Sequence, residues 1–368
     1  MKKLLTGILS LALATSMSIP AFAANSATND GTADTEITVN GTYKAGAPAA
    51  DVISVDVVWD AMDFTYTAPS NGKWNPGTHA YDGATAGSWA PSGDADPKIT
   101  VTNHSNIPVK AGFNFTAGVS GLDGLFSKNT LFLDTAENTA FENAPNGETT
   151  FSLAGEGINA TQSVGTITVT VENGITEIST AEELLNTRNK DGYFKLANDI
   201  TLDDAFHINS ENYILDLNGH TLQGSHFSTF VMIEYAGKVV IKNGTVLNTN
   251  DGGYGTAVEI LGGKDILFEN CDLSSYSTAL SVYVDSAVRA DSCNFKSTRE
   301  GSFVIINLNE LTLSGETFIV GKGGLSNQGG AVKVLSGNYN FNPTEYVDLN
   351  LYDVTEGTIG GLWAVTSK

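Results

Sequence analysis

The chain has 368 residues, 39 of them glycine, with only 16% charged residues and a formal net charge of −22. That length holds two domains with ample core, and the Gly-rich, charge-poor make-up argues against a helical protein and for a β-rich one with many tight turns. The acidity repels phosphate backbones, so nucleic acid is not expected as a partner.

Lys2 and Lys3 precede an apolar run from Leu4 to Met17, and Ala21-Phe-Ala23 follows Pro20 as a small-x-small cleavage site. Residues 1–23 therefore read as a secretory signal peptide, too short in its apolar run for a membrane anchor. Its removal takes Lys2 and Lys3 with it and leaves a formal charge of −24. No second long apolar segment follows, so a secreted protein, extracellular or on a cell surface and without membrane insertion, is expected. Residues 24–50 are rich in Ala, Asn, Thr, Gly and Asp and read as a flexible leader that enters a first strand near Glu36 to Val39.

Residues 51–174 alternate in short pieces: Ile53 to Val57, Phe64 to Tyr66, Ile99 to Val101, Val109 to Phe113, Leu131 to Leu133, Phe151 to Leu153 and Ile167 to Val171. Period-two runs between Gly, Pro and Asn loops predict an antiparallel β-sandwich. Trp59 is expected in its core. Trp74, Tyr81 and Trp89 fall in a Gly- and Pro-rich stretch from Asn71 to Ser92, read as a long loop, and are the candidate ligand-binding residues because aromatic faces stack on sugar rings. Trp59 to Tyr66, Trp74 to Tyr81 and Ile99 to Asn106 together resemble an N-terminal module of secreted or surface proteins of Gram-positive bacteria. That likeness implies no particular activity.

The alternation stops at Asn173-Gly174, the expected domain border. Thr180-Ala-Glu-Glu183 is a capping box, and Ala181, Leu184 and Leu185 give a short helix reaching Lys190 an apolar side suited to covering the open end of a stack. A phrase then recurs: Leu217-Asn-Gly-His-Thr-Leu222, Ile241-Lys-Asn-Gly-Thr-Val246, Phe268-Glu-Asn-Cys-Asp-Leu273, Ala290-Asp-Ser-Cys-Asn-Phe295, Leu313-Ser-Gly-Glu-Thr-Phe318 and Val334-Leu-Ser-Gly-Asn-Tyr339. Taking Thr221, Thr245, Asp272, Asn294, Thr317 and Asn338 as equivalent gives steps of 24, 27, 22, 23 and 21 residues. Such a period, carried by β-branched residues and turns, predicts a stacked solenoid. Second strands lie at Phe230 to Ile233, Ala257 to Ile260, Ala279 to Val284 and Phe303 to Ile306. The fold class expected is all-β: a sandwich, then a right-handed parallel β-helix of about seven coils over 175–342, then closing strands within 343–368 at Tyr346 to Leu351 and Leu362 to Val365. With Tyr193 to Ile200 and Ile214 to Gly219, the second domain resembles the pectate-lyase-like β-helix superfamily, a resemblance that implies fold more than activity.

Within the repeats the turn column Gly219, Asn243, Asn270, Ser292, Gly315 and Ser336 reads as structural, since Asn and Gly tolerate left-handed backbone and stacked amides bond along the axis. Cys271 and Cys293 fall at one repeat position on adjacent coils, close enough for a disulfide, yet in-register neighbours point the same way; a disulfide and a buried thiol stack both stand. A lyase or hydrolase needs carboxylates grouped on one face, with a base beside them. Glu234, Glu259, Ser281 and Tyr283 point outward without two carboxylates in register, so no catalytic residue is assigned. Asp94-Ala-Asp96 and Asn248 to Asp251 are oxygen-rich loops that could take Ca²⁺ but lack the ligand count of a defined site, and the five histidines show no metal-ligand spacing. No metal site or cofactor is assigned. The expectation is an adhesin-like protein binding a glycan, meaning a polysaccharide of host or wall, or a surface protein; the alternatives are a pectate-lyase-like carbohydrate-active enzyme on an acidic polysaccharide and a structural envelope component.

Overall fold

The computed structural model describes residues 50–368 apart from 94, 284, 322, 360 and 361 and the side chains of 358 and 359. The signal peptide, the strand expected near Glu36 and residue Asp94 lie outside the described residues. The described chain is nearly all β, with one short α-helix and two 3-10 turns.

The first domain is two antiparallel sheets packed face to face. One runs Val55–Trp59, Lys98–Asn103, Asn146–Gly155, Leu122–Phe126, and the other Gly165–Asn173, Val109–Ala117, Thr130–Leu133. Alternation puts Ile99, Val101, Val109, Ala111, Phe113, Leu131 and Leu133 between them. The strand Leu122–Phe126 was not expected. Its Gly124 breaks the apolar alternation because a Cβ there would stand 2.5 Å from the Phe115 ring. Trp59 does not fill the core: it is 54% exposed, at the end of an edge strand. The stretch read as a loop from Asn71 to Ser92 is instead a long hairpin. Phe64–Thr67 pairs with Ser88–Pro91, a bridge joins Ser70 to Thr85, and Lys73–Asn75 pairs with Ala80–Asp82.

Gly165–Asn173 leads with only Gly174 between into Ile175–Ile178, the first strand of the solenoid, which pairs in parallel with Gly192–Leu196. From there parallel pairing builds three sheets around one apolar interior. The first carries Gly192–Leu196, Asn212–Asp216, the early halves of Ala236–Asn248 and Gly263–Ser275, Ser286–Asp291, Glu310–Ser314 and Ala331–Val334. The second carries Ile200–Leu202, Thr221–Gly224, the late halves of Ala236–Asn248 and Gly263–Ser275, Asn294–Ser297, Phe318–Val320 and Gly337–Tyr339. The third stacks Phe206–Ile208, Thr229–Ile233, Thr256–Ile260, Thr278–Val282, Ile305–Asn307 and Leu325–Asn327. This makes about six full turns. A partial seventh, Ala331–Val334 and Gly337–Tyr339, follows. The expected register holds for Thr221, Thr245, Asp272 and Asn294. It slips in the sixth coil. Asn294 faces Phe318 rather than Thr317, and Phe318 faces Asn338, because the Gly315 turn holds one extra residue. Thr317 turns inward to accept from the Cys293 N–H, and Ile319 rather than Phe318 enters the core.

Both ends are closed. Ala181–Leu185, shorter than expected, is held by the Thr180/Glu183 capping box and buries Leu184 on the first coil. At the far end Leu362–Ser367 pairs antiparallel with Gly337–Tyr339 and with Tyr352–Ile359, burying Val365. Tyr346 to Leu351 is not the expected strand; Thr344–Tyr346 is a 3-10 turn, and the strand begins at Tyr352. Pro343 and the Asp348 side chain, which accepts from the Asn350 N–H, favour turns there.

Candidate ligand-binding surfaces

The hairpin brings two of the three candidate aromatics together and takes the third away. Trp74 and Tyr81 are cross-strand partners with ring centroids 5.3 Å apart, and their rings meet edge to face. His79, in left-handed backbone at the tip, sets its ring within 3° of parallel to the Trp74 indole. Asn75 shapes the tip: its side-chain oxygen accepts from the Gly77 N–H and its amide donates to Asp82. The result is an aromatic platform in which Trp74 is 53% and Tyr81 59% exposed. Trp89 lies against Tyr66 with the two rings tilted by 48°, and packs against the cluster of Leu122, Phe151 and Leu153, with its indole N–H donated to the Glu156 carbonyl.

On the solenoid, a second aromatic surface was not legible in the repeats because it sits in the unequal loops between the second and third sheets. Phe227 and Tyr254 stand out from successive coils, 64% and 71% exposed. Arg299, two coils further on, lays its guanidinium 4.1 Å from the Tyr254 ring centroid. The buried Asn248 ties these loops down: its amide donates to the His226 and Thr256 carbonyls and its oxygen accepts from the His226 N–H. That side chain is thus engaged by backbone groups and does not present the oxygen that a Ca²⁺ loop at 248–251 would need.

The outer face of the third sheet runs His207, Met232, Glu259, Ser281, Ile306 and Ser326 across the coils. His207 Nδ1 lies 2.9 Å from Glu234, Thr229 donates to Glu259, and Glu259 lies near Tyr283. Burial first, and the Glu259 charge second, raise the Tyr283 hydroxyl above its ordinary pKa. Ser281, expected outward, is only 3% exposed.

The turn column forms a short ladder. Asn270 donates to Asn243 at 3.5 Å, and Asn243 donates to Asp216 at 3.1 Å. Both Asn residues, and Ser292 after them, have φ between 51° and 59°, the left-handed geometry that a two-residue corner requires. Cys271 and Cys293 stand on adjacent coils as buried free thiols. The neighbouring Cys293 thiol, with burial, pushes the Cys271 thiol up. Among the described residues no group of three or more His, Cys, Asp or Glu side chains is placed to hold a metal ion, and no helix is long and apolar enough to cross a membrane.

Fold and surfaces together define an all-β protein, a β-sandwich followed by a capped parallel β-helix, with exposed aromatic groups on each domain. Comparison of the chain with protein-family models, curated proteins and solved structures finds no match.

Proposed function

We propose that this is a secreted or cell-surface adhesin-like protein that binds a polysaccharide. The observation that carries this reading is the exposed platform of Trp74, His79 and Tyr81, whose rings are held in place by strand pairing and by Asn75 before any ligand arrives. Flat aromatic faces stack on the apolar C–H faces of pyranose rings, and a preformed site loses little conformational entropy on binding. The signal-peptide reading of residues 1–23 supports an extracellular role. On a glycan array and by calorimetry with the best ligand, Trp74→Ala with Tyr81→Ala is expected to weaken binding at least tenfold while the circular dichroism is unchanged. Unaltered binding by that variant refutes the platform.

A second reading, a carbohydrate-active enzyme, is favoured by one observation: the third sheet of the solenoid carries two acid–base pairs, His207 with Glu234 and Glu259 with Tyr283. Products released from the same glycans, absent with Glu234→Gln and Glu259→Gln, would establish it.

A further inference from the structure

The two sides of the sandwich are finished differently. On one, the chain crosses from sheet to sheet through Ser127 to Asn129, between Leu122–Phe126 and Thr130–Leu133. On the other, among the described residues, Val55–Trp59 pairs only with Lys98–Asn103 and Gly165–Asn173 only with Val109–Ala117, so each sheet ends there in an edge strand. Gly118 N–H donates to Val164 and Gly174 N–H to Pro108, which fixes the parity of the second edge: even-numbered residues bond inward along the sheet. The backbone groups of Gly165, Ile167, Val169 and Val171 therefore face the open side. The side chains of Ile167 and Val169, with Val55, Val57 and Trp59 from the other edge, line an apolar groove of about 470 Å³.

The edges themselves are unlike. Val55–Trp59 is five residues long and carries Asp56, a charge that discourages pairing with another strand. Gly165–Asn173 is nine residues long, keeps unbroken register with its neighbour and contains no proline. From Gly165 to Val171 it has no charged side chain, and its outer face is the exposed row Thr166, Thr168 and Thr170. Glu172, near its end, is already engaged by Lys110 at 3.1 Å. A long, regular edge without a bulge, a proline or a central charge is a template for one more strand.

The strand that suits it is its own copy. Paired antiparallel about Val169, Ile167 falls opposite Val171 of the second copy, Thr168 opposite Thr170, and Thr166 opposite Glu172. No like charges meet, and threonines face threonines. For a chain of net charge −22 this decides the partner, because the uncharged stretch lets two copies touch without opposing their carboxylates. A basic partner gains nothing from it. The solenoid leaves room, since it rests on the sandwich through Phe132 and Asp134, at the opposite edge of the same sheet.

We infer that two copies of the protein associate through Gly165–Asn173, antiparallel about a twofold axis, and so join two three-stranded sheets into one of six. The axis stands normal to the sheets, so the Val55–Trp59 edges of the two copies face each other across it. The two apolar grooves meet there, each with its half-exposed Trp59.

The test uses the chain from residue 24 onward. Sedimentation velocity over a series of concentrations is expected to show a dimer in equilibrium with monomer. Thr168→Lys with Thr170→Lys sets like charges opposite each other across the axis, and Thr168→Glu with Thr170→Glu does the same with the other sign. Each pair of substitutions is expected to weaken the dimer by about tenfold or more, with unchanged circular dichroism. Mixed in equal amounts, the two variants are expected to re-form a dimer, seen by native mass spectrometry at the mass of the mixed pair. A parent that stays monomeric, a dimer that both charge variants leave intact, or variants that do not combine on mixing would each overturn the inference. Register is checked with Thr168→Cys and Thr170→Cys in one chain. Directly opposed residues of a non-hydrogen-bonded pair stand within disulfide reach, so oxidation by copper-phenanthroline is expected to give a covalent dimer. A dimer that this treatment leaves unlinked would rule out the pairing about Val169.

Discussion

A buried carboxylate is tolerated only where hydrogen bonds replace its water, and Asp216 shows how a solenoid arranges this. It is 8% exposed. One oxygen accepts from the Asn218 N–H and the Asn243 amide, and the other from the Tyr193 hydroxyl at 2.6 Å. Three coils thus meet at one side chain. Burial and this bond raise the Tyr193 hydroxyl far above its ordinary pKa, so it stays a donor at any physiological pH. Asp216→Ala strands three donors at once and is expected to cost about 3 kcal/mol in urea denaturation, with Asp216→Asn costing less because one acceptor oxygen remains. The cysteines give a second residue-scale prediction. Buried as free thiols, with Cys271 pushed up in pKa, they are expected not to react with a thiol reagent in the native protein, and two should titrate after unfolding without reductant. Finding none after unfolding would mean that the two sulfurs are joined. Their adjacency was legible from the repeat alone, because register carries sequence position directly into space. Trp89 was not: aromatic residues in a Gly-rich stretch look alike until strand pairing decides which one faces the core.

At the scale of elements, the repeats were legible because each corner selects a residue that tolerates positive φ, as Asn243, Asn270 and Ser292 do. Where a corner lengthens, as at Gly315, the tally of positions loses one and the prediction slips with it. The hairpin from Phe64 to Pro91 was missed for a different reason. Only Phe64 to Tyr66 showed as an alternating piece; the other strands are three or four residues long, too short for a period to register, and the Asn71-Gly72, Asn75-Pro-Gly77 and Asp82-Gly83 turn signals give the stretch the look of a loop. The cap helix was read correctly at its start and too long at its end. The Thr180 hydroxyl accepts from the Glu183 N–H, and the Glu183 carboxylate accepts from the Ser179 and Thr180 N–H groups. Thr180→Ala is expected to destabilise the first coil by about 1 kcal/mol. Those backbone bonds also hold the Glu183 carboxyl below its ordinary pKa of 4.5. A depressed acid contributes stability that is fully present above the unfolded pKa and disappears as pH falls through the lower folded value. Stability measured from pH 6 down to pH 3 should therefore fall less steeply in Glu183→Gln than in the parent.

At the scale of the whole molecule, the two domains are joined by more than Gly174. The outward column of the first solenoid sheet runs Tyr193, Ile214, Val240, Leu267, Arg289, Thr312, Lys333. It is apolar over its first four coils and polar beyond. The apolar part packs with Phe132 of the sandwich and Ile175 of the entry strand, and Lys238 reaches Asp134 at 2.8 Å on its flank. Apolar residues facing outward from a solenoid need a cover, and the sandwich supplies it. This contact was hidden in the sequence because Tyr213-Ile-Leu215 and Val239-Val-Ile241 read as continuous apolar runs, without showing that their middle residues face away from the coil. Phe132 is only partly buried, so Phe132→Ala should remove less than a full core deletion, about 2 kcal/mol. Its effect on cooperativity should be larger than its effect on stability. With the apolar cover gone, and Lys238→Ala removing the flanking ion pair, calorimetry is expected to resolve two transitions, one for the sandwich and one for the solenoid, where the parent shows one. The solenoid keeps its continuous core and both caps in that variant, so its transition should stay near the parent's temperature while the sandwich melts first. A single unshifted transition in the double variant would mean that the parallel pairing of Ile175–Ile178 with Gly192–Leu196, which carries the chain from one domain into the other, couples them by itself.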